Sequence, residues 1–242
     1  MSMIRDGLVQ AWQTPELTSL HKLPPRATFD SYPTAAAAKR ARREGETFLS
    51  LNGTWDFLLA ASPDTALAQV TTAMASDART TLQVPGNWEM QGHGAPHYTN
   101  IQMPFAAEPP AVPADNPTGI YRRTFAAPAS WQGQRIVAHF GGATSVLAVY
   151  LNGTAIGLSK DSCLPAEFDL TAAIRPGEDN TLTALVIKWS DASFIEDQDQ
   201  WWLAGLHREV YLYATPRTFI ENVSCRPRVE AAGRRATLDV AV

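Results

Sequence analysis

The stretch Ser145–Leu151, Asn152-Gly153, Thr154–Leu158 constrains this chain more than any other. Two short apolar runs flank an Asn-Gly pair. Asn-Gly supplies the positive φ values that a type I′ turn needs, so the pattern predicts a β-hairpin. The run Val146–Leu151 does not alternate between apolar and polar residues. That suits a central strand covered on both faces. A chain built around such a strand must place other elements above and below it.

Turn signals recur along the rest of the chain. Phe48–Leu51, Asn52-Gly53 and Trp55–Leu59 predict a second tight hairpin. Thr80–Val84, Gly119–Phe125, Arg135–Phe140, Glu167–Leu170, Thr181–Trp189 and Val210–Tyr213 read as further strands, bounded by Pro-Gly, Gly-Gly or Asp-Asn. Many short strands with little helix predict an all-β fold, a β-sandwich of jelly-roll type. Helix is expected over Thr34–Glu44, behind a Thr34 cap, and over Ala66–Met74. Residues 1–33 carry four prolines and no steady period, which predicts an extended arm anchored by Trp12, Leu17, Leu20 and Phe29. Asn87–Phe105 shows no alternation and reads as a long structured loop, continued by the proline-rich Ala106–Thr118. Loops of that length in compact domains usually carry function. Beyond Thr215-Pro216, Phe219–Cys225 and Ala236–Val242 are candidate strands that cannot bury a core alone. The expected organisation is an arm and short helix over 1–46, a sandwich over 47–216, and the start of a further, interrupted β domain over 217–242.

A net charge of -4 and the single basic cluster at Lys39–Arg43 exclude nucleic acid and a membrane surface as expected partners. No apolar run reaches membrane-spanning length, and the amino terminus lacks the apolar core of a signal peptide. Cys163 and Cys225 lack zinc-ligand spacing and read as free thiols of a cytoplasmic protein, although a pairing between them stays open. No Gly-x-Ser-x-Gly elbow or phosphate loop is present. His139 reads as a packed strand residue. His93 and His97 either face a ligand or sit solvated at a rim.

Lys188–Glu209 combines features that neither a core nor a solvated loop normally combines. Asp191, Glu196, Asp197 and Asp199 fall within nine positions, and Trp201-Trp202 follow directly. Carboxylates accept hydrogen bonds from hydroxyls, and indole faces stack on sugar rings. The alternative is a rim loop whose acids are solvated and whose tryptophans plug the sandwich. In His97-Tyr98-Thr99-Asn100, the Asn100 amide can donate to and accept from adjacent sugar hydroxyls, or stabilise its own turn.

Six motifs then occur in a telling order: Asn52-Gly53-Thr54-Trp55-Asp56-Phe57, Val84-Pro85-Gly86-Asn87-Trp88-Glu89-Met90, Pro96-His97-Tyr98-Thr99-Asn100, Asn116-Pro117-Thr118-Gly119-Ile120-Tyr121, Leu164–Leu170, and Trp189-Ser190-Asp191 through Trp201. Over roughly residues 8–242 the chain resembles the amino-terminal sugar-binding domain of glycoside hydrolase family 2 β-galactosidases. The resemblance implies a galactose-binding-domain-like jelly roll, followed by an immunoglobulin-like domain and a catalytic (β/α)₈ barrel outside this chain. The barrel would carry two glutamates of a retaining mechanism, so this chain alone is expected to be inactive. By motif position, Asn100 and Asp199 would bind the galactosyl group of a β-galactoside such as lactose. Asp199 would also ligate a sodium ion completed by the barrel. The other acids are then read as shaping the loop, and Trp201 and Trp202 as bracing it. The remaining domains of the same chain, and further copies of the parent in a homo-oligomer, are the implied partners. A lectin-like module, or a family 2 glycosidase of other specificity, is the alternative.

The chain also departs from the family. Where the best-known members hold a structural magnesium, the matching positions here are Ala11, Thr14, Lys160 and Asp191. One carboxylate beside an ammonium is a poor cation site, so that magnesium is expected to be absent. A catalytic magnesium in the barrel remains possible on the resemblance. Gln200 and Trp202 also depart from the usual residues around Asp199.

Overall fold

The computed structural model describes residues 10–30, 32, 34–40, 47–70, 79–100, 103–230 and 233–242. In chain order, the arm forms a 3₁₀ turn over Ala11–Gln13 and strand β1 (Ser19–Leu20), followed by helix α1 (Ala35–Arg40). Next come β2 (Phe48–Ser50), β3 (Gly53–Ala60), α2 (Pro63–Gln69), β4 (Thr80–Val84), a 3₁₀ turn over Glu89–Gln91, β5 (His97–Thr99) and β6 (Thr118–Ala126). The centre holds β7 (Arg135–Phe140), β8 (Ala143–Thr144), β9 (Val146–Leu151), β10 (Thr154–Ser159), β11 (Ala166–Asp169) and β12 (Asp179–Ile187). The last part holds α3 (Ser193–Glu196), β13 (Gln200–Trp202), β14 (Gly205–Leu206), β15 (Val210–Thr215), β16 (Ser224–Val229) and β17 (Ala236–Ala241).

A seven-stranded sheet ordered β1-β10-β9-β12-β6-β3-β4 faces a four-stranded sheet ordered β11-β7-β15-β2. Every pairing is antiparallel. The sandwich expected from the sequence is therefore the architecture observed. Between the sheets lies a core containing Trp55, Phe57, Tyr121, Phe140, Phe168 and Leu212. A second apolar layer, with Trp12, Ala66, Ile120, Trp189 and Trp202, covers the outer face of the larger sheet. Strand β9 feeds both layers. Leu147, Val149 and Leu151 enter the first, and Val146, Ala148 and Tyr150 enter the second. Its unbroken apolar run follows from that double burial.

Asn152 and Gly153 both have positive φ, 52° and 79°, and close the β9–β10 hairpin as their sequence requires. The other Asn-Gly pair behaves differently and corrects the expectation. β2 pairs with β15 in the smaller sheet, whereas β3 pairs with β4 and β6 in the larger one. Gly53 has φ 114°, but Asn52 is not among the positive-φ residues, so no type I′ turn forms. The Asn52 side chain instead accepts the Val210 amide at 2.9 Å. That bond fixes the point where the chain crosses between sheets.

The arm is anchored through Trp12 as expected, and it also adds a strand that the sequence did not suggest. β1 adds to β10, and Trp12 and Ala11 are buried. Gly157 sits where a Cβ would meet Phe168 at 2.4 Å and the Leu20 carbonyl at 2.7 Å, so only glycine admits this approach of arm to sheet. Of the expected first helix, 35–40 is helical and 41–44 lies outside the described residues. The second begins earlier than expected, at Pro63 behind a Ser62 cap, and 71–74 lies outside the described residues. The strand expected over Phe219–Cys225 starts only at Ser224; β16 and β17 pair with each other.

Candidate functional site

Asn87–Phe105 and Lys188–Glu209 meet in space. β5 pairs with β13 in a separate two-stranded ladder, with Thr99 opposite Gln200, Tyr98 opposite Trp201 and His97 opposite Trp202. Asn100 follows Thr99, and Asp199 precedes Gln200. The two residues singled out by sequence therefore stand at the same open end of one ladder, and both are exposed.

The acids differ sharply in what they do. Asp199 accepts a short hydrogen bond from the Tyr98 hydroxyl. That bond to a carboxylate, with lesser effects of desolvation and of the Asp199 charge, raises the Tyr98 pKa above its ordinary value. Asp197 accepts from Thr99 Oγ1 at 2.5 Å and from Trp202 Nε1 at 3.2 Å, and Trp202 Nε1 also reaches Thr99 Oγ1 at 3.0 Å. This triangle bolts the two strands together. Glu196 accepts from the Ser162 hydroxyl at 2.5 Å and the Ser162 amide at 3.1 Å. The expectation that Glu196 and Asp197 shape the loop matches these bonds.

The two tryptophans also part company. Trp202 is buried, 5.2 Å from Trp189 between ring centroids, and braces the loop. Trp201 remains 60% exposed and packs against Tyr98 at 5.6 Å. Next to them a cleft of about 330 Å³ is lined by residues including Asn87, Ser162, Glu196, Trp201 and His207. Burial and the neighbouring Arg208 lower the His207 pKa, which favours the neutral imidazole.

Asp191 belongs elsewhere. Lys160 Nζ donates to both Asp191 oxygens, at 2.7 and 2.8 Å, and to the Thr14 carbonyl at 2.9 Å. Both side chains are buried. The Asp191 carboxylate also caps the following turn through the Ala192 amide at 2.8 Å. An ammonium already uses the oxygens that a divalent cation would need, so Ala11, Thr14, Lys160 and Asp191 do not fit a magnesium site. Among the described residues, no three or more His, Cys, Asp or Glu side chains gather to hold a metal ion. Asp199 fits a hard cation only as one oxygen ligand of a larger set.

The more enclosed cavity, about 170 Å³, lies away from this ladder, against the smaller sheet, with Phe29, Phe48, Tyr211 and Tyr213 in its walls. Two of its charged groups are committed to each other: Arg26 makes two bonds of 2.9 Å to Glu167. Burial opposes ionisation of Glu167, but hydrogen bonds from His139 and Arg26 and the Arg26 charge outweigh it and bring the pKa to about 2. His139, expected as a packed strand residue, is buried there, stacked on Tyr211 at 4.3 Å.

The model of the glycosyl hydrolases family 2 sugar binding domain matches residues 48–216. The chain belongs to glycosyl hydrolase family 2. It is 42% identical to the β-galactosidase of Vibrio cholerae over 96% of this chain and 23% of that protein. It is 38% identical to the β-galactosidase of Psychromonas ingrahamii over 95% of this chain and 22% of that one. The chain thus spans less than a quarter of these relatives. A Faecalibacterium prausnitzii β-glucuronidase shares the fold, with TM-score 0.59 and 24% identity over 83% of this chain and 36% of that chain. The family 2 sugar-binding domain expected from the ordered motifs is what this chain is.

The sequence pointed to Asn100 and Asp199 but not to the groups that hold them. Tyr98 and Thr99 stand in the sequence as motif members without a role, whereas Trp202 reads there as bracing the loop, in keeping with its burial. Lys188 and Glu89, described below, carried one weak signal: Lys188 follows directly on an apolar strand whose neighbours are all buried.

Proposed function

We propose that this domain lends Asn100 and Asp199 to the galactosyl pocket of a retaining β-galactosidase whose catalytic barrel lies outside this chain. The observation that carries the reading is the β5–β13 ladder, which brings these two exposed polar residues to one end, with Thr99 and Trp202 buried behind them. The β-galactosidase relatives match across nearly the whole chain. The glucuronidases are alike in fold only, so galactosides rather than glucuronides are the favoured substrate class.

In this reading the Asn100 amide donates to one sugar hydroxyl and accepts from another. Asp199 accepts a sugar hydroxyl through the oxygen that Tyr98 leaves free, and supplies one oxygen to a sodium ion. Sodium would help fix the sugar hydroxyls at that edge of the pocket. Tyr98 orients the carboxylate, and the Thr99–Asp197–Trp202 triangle limits its movement. Two glutamates of the barrel would act as nucleophile and acid/base. The domain thus orients the galactosyl ring and does no bond-breaking itself. Partners are the other domains of its own chain and, in the parent, further copies. The exposed, unpaired Cys163 and Cys225 suit a reducing cytoplasm.

A second reading, a lectin-like module, draws on the exposed Tyr98–Trp201 pair, which offers a stacking face. Calorimetric titration of the isolated chain with galactose and lactose separates the two. No detectable heat supports the half-site, because a pocket lacking most of its walls cannot desolvate a sugar. Sub-millimolar binding supports the module.

A further inference from the structure

Lys188 and Glu89 form an ion pair inside the protein, with Nζ 2.7 Å from Oε1 and side chains only 2% and 0% exposed. Neither residue touches the surface on which Asn100 and Asp199 stand. Their connections nonetheless reach both strands of the site. An ammonium has three donors, and all three of Lys188 are used: on Glu89 Oε1, on the Ala95 carbonyl at 3.1 Å, and on His97 Nδ1 at 3.3 Å. His97 opens β5, the strand that Asn100 follows. An ammonium cannot accept, so Nδ1 is the accepting nitrogen. Burial and then the Lys188 charge hold the His97 pKa below its usual value, which favours that neutral state.

Glu89 holds the other strand. Its Oε2 accepts the Ala204 amide at 2.9 Å, just past β13, and the Ala204 carbonyl accepts the Trp88 amide at 3.0 Å. Lys188 itself sits where β12 ends, with its amide bonded to the Pro117 carbonyl at 3.1 Å. β12 is the strand flanked by β9 and β6 at the centre of the larger sheet. The pair therefore stands between the central strand of the larger sheet and a two-stranded ladder that, among the described residues, pairs with no other strand.

We propose that the Lys188–Glu89 pair positions the sugar-facing residues, fixing β5 through His97 and Ala95 and β13 through Ala204. This rests on the reading that Asn100 and Asp199 meet the sugar and sodium. A buried ion pair is seldom the cheapest way to stabilise a core, because apolar residues of similar volume often serve as well. What apolar residues cannot do is direct hydrogen bonds to a carbonyl, an imidazole and an amide on two separate segments. Lys188 and Glu89 act through other residues and touch no substrate, so they are positioning residues.

The test uses the full-length protein with a chromogenic β-galactoside at varied sodium. The variant Lys188→Met/Glu89→Gln removes both charges and keeps an acceptor for the Ala204 amide, so the fold should persist. Loss of a group that orients a ligand residue typically costs about 10- to 100-fold, and the galactoside KM and the apparent sodium constant are both expected to rise by that amount, at a nearly unchanged urea midpoint. His97→Ala leaves the ion pair and its bond to the Ala95 carbonyl intact and cuts the other of its two links to the β5 segment; it is expected to raise KM with a smaller effect on the sodium constant. Unchanged KM and sodium constant in both variants, with an active wild type, overturn this inference alone. A wild type that cleaves no β-galactoside overturns the reading of Asn100 and Asp199, and the inference with it.

Discussion

Lys160 holds both carboxylate oxygens of Asp191, at 2.7 and 2.8 Å, and with its remaining donor reaches the Thr14 carbonyl on the arm. One internal ammonium thus ties the arm, β10 and the start of the acidic loop together. Breaking a buried pair by removing one partner costs about 3–5 kcal/mol. Lys160→Met should lower the stability of the chain by that order, read as a shift in the urea midpoint. Added magnesium should leave the wild-type midpoint unchanged. A magnesium-dependent rise would contradict the assignment of these oxygens to Lys160.

Glu167 gives the chain a pH signature. Its folded pKa, about 2, lies below the ordinary 4.5. A depressed carboxylate pKa contributes stability that is complete above the unfolded value and is lost as pH falls from there toward the folded value. The contribution is therefore full at pH 6 and fades between about pH 4.5 and pH 2. Glu167→Gln should lower the urea midpoint at pH 6 and make it less sensitive to acid across that window. Parallel acid profiles for both proteins would refute the role of the Arg26–Glu167–His139 cluster.

Tyr98 reports on Asp199. Hydrogen bonding to the carboxylate, then desolvation, then the charge of Asp199 raise the phenol pKa. Asp199→Asn should bring it down towards that of a free tyrosine. The ring carbon resonance of labelled tyrosine, followed against pH in wild type and variant, measures this. An identical titration in both would mean that the hydroxyl does not rest on Asp199.

The β16–β17 hairpin presents Val229, Leu238 and Val240 to solvent and, among the described residues, pairs only with itself. An isolated two-stranded hairpin is at best marginally stable. Removing residues 224–242 should move Tm by less than about 4 °C, the effect of ~1 kcal/mol in a domain of this size. A larger loss would show that the hairpin supports the sandwich.

Much of this architecture was legible in the sequence because local chemistry and tertiary context agreed. Asn152-Gly153 formed the turn its residues favour, and the unbroken run of β9 correctly signalled cover on both faces. Asn52-Gly53 carries the same local signal. There, a side-chain bond to Val210 from a distant strand decided the path, and no short-range pattern encodes that. The short β5 strand was hidden for a related reason. Three residues paired with a segment a hundred positions away leave no period to detect. The motifs pointed to Asn100 and Asp199 as candidates, but the buried Lys188–Glu89 pair behind them becomes visible only when three segments are brought together. The arm reads as extended and anchored by Trp12, which is indeed buried, but its prolines mask the brief β1 pairing.

Steady-state hydrolysis by the full-length protein, with paired chromogenic β-galactoside and β-glucuronide substrates and with Asn100→Ala and Asp199→Ala variants, decides whether Asn100 and Asp199 form half of a galactosyl pocket. The expected result is preference for the galactoside, a KM raised about tenfold or more by each variant, as when a hydrogen bond to a charged or polar sugar contact is lost, and loss of sodium dependence in Asp199→Ala. A preference for the glucuronide, or an Asp199→Ala enzyme with wild-type KM and wild-type sodium response, would contradict it.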